Sequence, residues 1–396
     1  MKKLLISAAA TAALATSASA LTFEYPQLYK DPKVMGMGGA NVAVGGSASS
    51  LFYNPAGLAY IPKEYGVEVE LINLNISINE NIMDFASDLS DATDAPGDLD
   101  NDGIPDEDDD ETLAALDVFE AYMGKNIHFD VNDMLSVSKK GEKIAFAVAA
   151  FGGASFDFRT HRGFGTDGVM EVQGIGYGGV ALGGSYDFKE VPIGSTIELN
   201  SFSLGFGLKQ VTYFSVNDAV TINEYIDNKD DFGSYVQDDL AKEGTSVVYD
   251  LGGTYHVLPN MIVGVSAMNI GGIGDKDAVY IPMTINAGVG YLKRWEGHKF
   301  FNQVRMAFDY IDISKEYDQD TDIIKRSRMG LETNVWDGWF STLSLRGGLY
   351  QGAPTYGLNL RLTMLQIGYA YYQEEVGAYA GQDRDARHIV NLTFGW

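Results

Sequence analysis

The acidic stretch DLDNDGIPDEDD has the residue types and the spacing of a calcium-binding loop. Carboxylates at alternate positions can surround one hard cation, and a glycine at the sixth position lets the chain turn sharply. The predicted ligands are Asp98, Asp100, Asp102, the Ile104 carbonyl, Asp106 and Asp109. Aspartate at the twelfth position, where glutamate is usual, predicts weak binding of Ca²⁺. We expect a structural ion that orders an external loop; the alternative is an acidic loop without an ion.

Charged residues also alternate with apolar residues in the C-terminal third of the chain. Successive side chains of a β-strand point to opposite faces, so this alternation predicts strands with one charged and one apolar face. The apolar face carries Val304, Met306, Phe308, Tyr310, Leu343, Leu345 and Leu349. The opposite face carries Arg305, Asp309, Arg328, Glu332, Arg346 and Arg361. We expect an ion-pair network that faces the lumen of a barrel; the alternative is that one arginine binds the carboxylate of an amphipathic ligand.

Alternation with a period of two recurs in segments of about ten residues, which is typical of the strands of a membrane barrel. The sequence predicts fourteen strands, at 64–78, 128–138, 143–159, 168–188, 195–219, 245–257, 260–272, 281–293, 301–314, 325–336, 340–350, 355–363, 365–374 and 387–396. The last of them ends on an aromatic residue, which resembles the C-terminal signal of outer-membrane barrels. The predicted fold class is all-β, a 14-stranded antiparallel transmembrane β-barrel; a soluble sandwich is the alternative.

The connections between the predicted strands alternate in length. Turns such as 139–142 and 337–338 are short, whereas the connections 79–127 and 220–244 are long. Short periplasmic turns and long external loops are the rule in outer-membrane barrels, so the acidic connection 79–127 is predicted to be external. All four tryptophans fall at predicted periplasmic strand ends, where the membrane interface favours them. We expect the outer membrane of a Gram-negative bacterium, with lipid around the barrel.

The composition argues against several classes of function. The chain has 54 acidic and 28 basic residues and a formal charge of -26, so no nucleic-acid partner is expected, because phosphate contacts need a basic surface. It has no cysteine, which excludes disulfides and thiol chemistry. Its five histidines form no evident Ser/His/Asp arrangement, so we expect no enzyme. Chemistry by paired carboxylates is the open alternative.

Residues 1–20 have the pattern of a secretory signal peptide. Lys2 and Lys3 precede a short apolar core that ends in Ala18-Ser19-Ala20, and we expect cleavage after Ala20. An uncleaved anchor is the alternative, but the core is shorter than the ~20 apolar residues of a spanning helix. The chain is therefore predicted to be exported.

The window from Val34 to Pro62 contains no Asp, Glu, Lys or Arg. Glycine, serine and Asn54-Pro55 interrupt it too often for a membrane helix. A 14-stranded barrel is too wide for its own side chains to fill, and a neutral chain rich in small residues can pack inside it. We therefore predict an N-terminal hatch at 21–63 that plugs the lumen of a barrel formed by 64–396.

The stretch MGMGGANVAVGGSASSLFYNPAGLA resembles the N-terminal hatch of the FadL/TodX outer-membrane transporters of hydrophobic compounds. PorV-like and conjugal-transfer TraF-like outer-membrane proteins carry similar approaches to the same Asn-Pro-Ala-Gly motif. The hatch residues that the resemblance implies are Asn54, Pro55, Ala56 and Gly57. The family usually has an acidic residue before this motif, and 46–48 contains none, which argues against a salt bridge within the hatch.

The resemblance implies a passive transporter that takes up long-chain fatty acids or other hydrophobic small molecules. External loops would collect the ligand, the hatch would shift, and the ligand would leave sideways or through the lumen. In the family the third strand is kinked inward, and here Gly152 and Gly153 mark where its pairing could break to form a lateral gate. The alternative function is a TraF-like or PorV-like scaffold in conjugation or secretion, with protein partners at the external loops.

Overall fold

The main element of the protein is a closed antiparallel β-barrel in which each strand pairs with the next and the last pairs with the first. The computed structural model describes residues 24–62, 66–94, 117–162, 168–188, 191–193, 197–199, 201–221, 224, 228, 232–236, 240–295, 297–317 and 322–396. The strands are β1 (Val67–Asn79), β2 (Asn126–Lys140), β3 (Ile144–Arg162), β4 (Gly168–Phe188), β5 (Phe202–Thr221), β6 (Lys242–Leu258), β7 (Met261–Ile270), β8 (Thr284–Arg294), β9 (Gln303–Tyr310), β10 (Ser327–Asp337), β11 (Ser341–Tyr350), β12 (Ala353–Leu362), β13 (Leu365–Glu375) and β14 (Arg384–Gly395). The prediction of a 14-stranded barrel is confirmed.

Short helices and two small ribbons lie outside the barrel sheet. The chain before β1 contains the α-helix Pro32–Gly36 and the 3₁₀-helices Ala48–Phe52 and Pro55–Tyr60. The connections between strands contain the helices Asn81–Asp94, Phe232–Tyr235 and Ile323–Arg326, and the ribbons that pair Val191–Ile193 with Ile197–Leu199 and Ile273–Gly274 with Tyr280–Ile281. In the described part of the chain, every helix is too short or too polar to cross a membrane.

The outer face of the barrel is apolar. In β14 the side chains of Val390, Leu392 and Phe394 are exposed by 53%, 43% and 40%, whereas Asn391 and Thr393 between them are buried. The same outward direction is found for Met306, Phe308, Leu345 and Leu349. The tryptophans lie at the end of the barrel where β1 begins and β14 ends, as predicted. An apolar outer band with aromatic residues at its edge is the surface of a barrel that spans a lipid bilayer.

Residues 24–62, here called the N-terminal segment, pack against the inner face of the barrel. The segment's Leu28, Leu51 and Leu58 are almost fully buried, and they share one apolar cluster with Met134 of β2 and Phe151 of β3. Uncharged side chains enter such a cluster without the desolvation cost of a charge. The segment therefore occupies the lumen that the strands leave open.

Inward-facing glycines let the backbone of the N-terminal segment approach the wall closely. A Cβ atom added at Gly264 would lie 2.6 Å from the carbonyl oxygen of Val42, and one added at Gly330 would meet the carbonyl oxygen of Met37. No larger residue fits at these points without a shift of the backbone. Part of the high glycine content therefore has a packing cause at this interface.

Two external connections fold over the N-terminal segment at the barrel mouth. Between β7 and β8, Ile273 and Ile281 are buried in the same cluster as Leu28. Between β9 and β10, the ring of Tyr317 stacks on that of Tyr25, with the ring centroids 4.3 Å apart. Both connections therefore cover the segment from the external side.

Gly330→Ala is expected to loosen the N-terminal segment while the barrel still forms. The added methyl group would meet the Met37 carbonyl, and overpacking of this kind costs about 1–3 kcal/mol. Amide hydrogen exchange should become about tenfold faster in the segment and stay unchanged in the strands. Gly178→Ala is the matched control, because a Cβ atom there has no other atom within 4 Å. Equal exchange in the two variants would contradict the packing role of Gly330.

Candidate functional site

The YNPAG motif joins two parts of the N-terminal segment to each other. The Asn54 side chain accepts a hydrogen bond from the backbone N–H of Ala56 (3.0 Å) and so caps the helix Pro55–Tyr60. Its Nδ2 atom donates to the carbonyl oxygen of Val42 (2.7 Å). Asparagine can do both because its amide is a donor and an acceptor. The residues predicted for the hatch are all buried inside the barrel, namely Asn54, Pro55, Ala56 and Gly57.

Asp309 attaches the N-terminal segment to β9. Its Oδ2 atom accepts hydrogen bonds from the backbone N–H groups of Asn41 (2.6 Å) and Val42 (2.7 Å). The sequence predicted Asp309 as a member of a luminal ion-pair network, but it forms no ion pair with its cross-strand neighbour Arg328. A carboxyl oxygen that accepts two backbone N–H groups of the segment binds it directly, while Oδ1 of Asp309 has no hydrogen-bond partner among the described residues.

Glu332 is the centre of an ion-pair network at the end of the barrel with the short turns. It accepts a hydrogen bond from Nε of Arg346 (2.6 Å), and its second oxygen lies 3.8 Å from Nε of Arg305. Arg361 donates to the hydroxyl of Thr342 (2.9 Å). These residues line a polar cavity of about 180 Å³. The structure therefore brings four of the predicted luminal residues together around one space.

Arg328 lies apart from that network. Its Nη1 atom donates to the carbonyl oxygens of Lys325 (2.7 Å) and Ser327 (3.1 Å). Its guanidinium carbon lies 4.0 Å from the centroid of the Tyr350 ring, a distance that gives a cation–π contact. Arg328 therefore points inward as predicted but belongs to different surroundings.

A buried ion cluster, here called the clasp, ties the start of the N-terminal segment to β14. Within the segment, Glu24 pairs with Lys30, and Arg387 of β14 donates to Glu24 (2.8 Å). Arg387 also pairs with Asp157 (3.1 Å) and Asp385 (2.8 Å). The sequence reasoning missed the clasp, although the alternation in β14 already places Arg387 on the inner face.

The clasp includes residue types that can bind a metal. Ligand atoms of Glu24, His128 and Asp157 lie within 4.8 Å of one another, and one imidazole with two carboxylates suits several divalent metals. Both carboxylates are already paired with Arg387, and Glu24 is also paired with Lys30. Because these positive charges would repel a cation, the donor set fits an ion-pair cluster and not a metal centre.

The two charges contributed by the N-terminal segment stabilise each other. Burial by itself raises the pKa of Glu24, but the charges of Arg387 and Lys30 outweigh it and hold that pKa below its ordinary value of 4.5. Burial lowers the pKa of Lys30, but the negative charges beside it, Glu24 first, outweigh burial and hold that pKa well above 10.5. Both groups are therefore charged over the whole neutral range.

A cavity of about 90 Å³ lies between the N-terminal segment and the wall. From the segment it is lined by Tyr25, Leu28, Tyr29, Phe52 and Tyr53. From the strands and external connections it is lined by Lys209, Met268, Ile281, Tyr317 and Arg328, among others. We call it the aromatic cavity. It combines apolar rings with basic groups, and it could not be predicted from the sequence because its walls come from distant parts of the chain.

No protein family model and no curated protein sequence matches the chain. Among solved structures, a TodX deltaS2S3 mutant described as a monoaromatic hydrocarbon channel is 11% identical, with a TM-score of 0.52 over 93% of this chain and 98% of that one. The Ralstonia pickettii toluene transporter TbuX is 10% identical, with a TM-score of 0.51 over 93% and 99%. The chain has the fold of TodX and TbuX. Both are described as a channel or a transporter, and neither as an enzyme.

The wall of this TodX-type barrel is continuous at Gly152 and Gly153. Gly152 pairs with Asp133 of β2 and with Gly178 of β4, and the register of β3 does not shift on either side. The prediction that pairing breaks at these glycines is therefore wrong for this structure. Glycine keeps its backbone N–H and C=O groups, so it stays in a ladder when both neighbouring strands continue in register.

The irregularity of the wall lies in β1 instead. Between Glu70 and Asn75 the register against β2 shifts, and two consecutive side chains face outward there, which defines a β-bulge. The backbone N–H of Asn73 donates to the carboxylate of Asp133 (2.8 Å). A side chain therefore replaces the ladder bond that the bulge removes from the seam between β1 and β2.

Two predicted features lie outside the described residues. They are the calcium-binding loop at 98–109 and the signal peptide at 1–20. Both stay predictions from the sequence.

Arg387→Met is expected to release the start of the N-terminal segment. Removing one partner of a buried ion pair costs about 3–5 kcal/mol because the remaining charges stay buried and uncompensated. Hydrogen exchange of 24–34 should become at least about a hundredfold faster, with the strands unchanged. Arg294→Met is the control, because its ion pair with Asp337 (3.5 Å) is partly exposed and worth little. Similar protection in both variants would show that the clasp does not hold the segment.

The clasp is also expected to weaken at both extremes of pH. Glu24 has a lowered pKa in the folded protein, so its contribution is present above pH 4.5 and is lost as the pH falls through the lowered value. Lys30 has a raised pKa, so its contribution is present below pH 10.5 and is lost as the pH rises through the raised value. Proteolysis of the segment, followed at pH 3 to 11 with acid- and alkali-stable proteases, should be slowest between these limits. A constant rate below pH 4.5 would contradict this assignment.

Proposed function

We propose that this chain is a passive outer-membrane transporter of hydrophobic small molecules and that the N-terminal segment is its hatch. The observation that carries the proposal is that the segment fills the lumen of a TodX-type barrel and is held there by non-covalent contacts. Asp309, the clasp and the glycine contacts fix it to the wall. All of these contacts can break without any change in strand pairing, so the segment can shift inside an intact barrel.

The ligand is proposed to follow the apolar cluster that joins the mouth to the wall. Ile273 and Ile281 of the external connection, Leu28 and Tyr29 of the segment, and Met134 of β2 belong to this one cluster. An apolar molecule that replaces these contacts one by one stays out of water along the way. Monoaromatic compounds, which TodX and TbuX are described as carrying, and long-chain fatty acids are the ligand classes to compare.

Sideways exit is proposed to use the seam between β1 and β2. The ladder is interrupted there by the bulge, and the Asp133 side chain closes the gap. Breaking this seam costs fewer backbone hydrogen bonds than opening the continuous wall at Gly152 and Gly153. The aromatic cavity and the seam meet at Tyr29, which lines the cavity and shares the cluster with Met134.

A scaffold of the TraF-like or PorV-like kind is the second candidate function. The observation that favours it is the amount of charge that fixes the lumen: the clasp lies at one end, and the network around Glu332 lines a polar cavity at the other. A barrel that only displays external loops to protein partners has no need for a movable segment. The two candidates therefore differ in whether the segment must move.

The deciding experiment locks the N-terminal segment to the wall with a disulfide. The chain has no cysteine of its own. A Cβ atom at Gly290 would lie 3.3 Å from Cβ of Ala43, close to the roughly 3.8 Å of a disulfide, so Ala43→Cys with Gly290→Cys joins segment to wall. Val44→Ala makes room for the new side chain. Uptake of labelled toluene and of labelled oleate would be measured in a Gram-negative host that lacks its own transporter.

We expect uptake to stop when the Ala43–Gly290 pair is oxidised and to return on reduction. The matched control joins two wall strands through Thr212→Cys and Thr245→Cys, which are direct cross-strand neighbours with their hydroxyl oxygens 3.1 Å apart on the exposed face, and it should transport in both redox states. Uptake that continues through the locked barrel would refute the hatch. A correctly inserted barrel that takes up neither label would refute the transporter and favour the scaffold.

A further inference from the structure

The aromatic cavity has basic but no acidic side chains in its lining, as far as the described residues show. Lys209 and Arg328 are the charged residues that line it. The chain as a whole carries a formal charge of -26, so a basic lining does not follow from the composition. Inside a protein, where the effective dielectric constant is low, such a lining attracts an anion.

The two basic side chains of the cavity differ in how they are satisfied. Lys209 pairs with Asp250 (3.1 Å) and donates to Asn269 (2.8 Å), so its charge is compensated. Arg328 is 1% exposed, and its Nη2 atom has no hydrogen-bond partner among the described residues. An unpaired donor on a buried charged group is costly, because the group has lost its hydrogen bonds to water. Among the described residues, Arg328 therefore has an unused Nη2 donor and no direct ion pair, and it lines this cavity.

The surroundings of Arg328 set it apart from Arg305 and Arg346. Those two arginines share the carboxylate of Glu332. The acidic cross-strand neighbour of Arg328 is Asp309, whose Oδ2 instead accepts the backbone N–H groups of the N-terminal segment. The wall thus presents the guanidinium group of Arg328, whose cross-strand acid Asp309 bonds to the N-terminal segment and forms no ion pair with the guanidinium.

The remaining lining of the cavity suits an aromatic ring. Tyr25 stacks on Tyr317, and the rings of Tyr29 and Phe52 lie 5.1 Å apart between centroids. Aromatic rings in such arrangements attract one another beyond the effect of the area that they bury. The cavity is smaller than the roughly 150 Å³ apolar cavity that holds benzene in an engineered protein. One ring therefore fits if a lining side chain moves slightly, whereas a long alkyl chain does not fit whole.

We infer that the aromatic cavity binds small aryl monocarboxylates, with the carboxylate on Nη2 of Arg328 and the ring among Tyr25, Phe52 and Tyr317. The inference rests on the proposed function and narrows its ligand class from hydrophobic compounds to benzoate-like anions. A carboxylate satisfies the unused donor with a charge-assisted hydrogen bond, which is about twice as strong as a neutral one. A neutral hydrocarbon would fill the same space and leave that donor unpaired.

The test is calorimetric binding of benzoate and of its neutral isostere benzamide to the full barrel in detergent. Benzoate should bind the unmodified protein at least about tenfold more tightly than benzamide. Arg328→Met should abolish this preference without weakening benzamide, and Arg328→Lys should restore part of it. Gln27→Glu, which adds an acid to the lining of the cavity, should also weaken benzoate about tenfold and leave benzamide unchanged. This second variant keeps the test decisive if Arg328→Met does not fold.

The outcomes separate this inference from the proposed function. Equal binding of benzoate and benzamide by the unmodified protein, or a benzoate preference that survives both Arg328→Met and Gln27→Glu, overturns the inference. If toluene uptake still depends on a free segment in that case, the transporter proposal stands without it. Benzoate binding that depends on Arg328 in a barrel that transports nothing supports the site and refutes transport.

Discussion

A closed barrel of fourteen strands leaves a lumen wider than its own side chains can fill. The rest of this structure follows from that width. Another part of the chain must fill the lumen, and its backbone N–H and C=O groups must find hydrogen-bond partners there in place of water. The short helices of the N-terminal segment pair part of its backbone. The Asn54 amide both donates to and accepts from other backbone groups of the segment, and Asp309 of the wall accepts from the backbone N–H of Asn41. Glycines on the strands then allow backbone to lie against backbone, as at Gly264 and Gly330.

Two clusters of charged side chains inside the barrel combine positive and negative groups that pair with one another. The clasp sets Arg387 against three carboxylates, and Glu332 is shared by two arginines. Arg328 is the contrast, since it donates to two carbonyl oxygens and its guanidinium lies over the ring of Tyr350. Balanced clusters fix the position of the segment, whereas the Nη2 donor of Arg328, which has no hydrogen-bond partner among the described residues, can contribute free energy to the binding of a ligand. The same luminal face thus holds structural charges and a candidate binding charge.

The strands could be predicted from the sequence because lipid on one side and a polar lumen on the other impose a strict alternation, as in Val390, Leu392 and Phe394. The presence of the N-terminal segment in the lumen could be predicted because its long uncharged stretch is too often interrupted to form a membrane helix and can pack inside a wide barrel. Alternation assigns a face but not a partner, so it placed Asp309 inward without showing that its partners are backbone N–H groups. The predicted break in pairing at Gly152 and Gly153 was wrong because glycine permits a break but does not cause one. Whether the register continues is decided by the neighbouring strands. The β1 bulge is visible in the sequence as the adjacent apolar pair Leu71-Ile72 in an otherwise alternating strand.

The clasp joins positions that are 363 residues apart, Glu24 near one end of the chain and Arg387 in the final strand. Contacts of such sequence separation form only after the intervening chain has found its place. The clasp therefore requires β14 to be paired, whereas the bonds of Asp309 to the segment do not involve that strand. The contact between Glu24 and Arg387 thus makes the position of the start of the segment depend on the strand that closes the barrel.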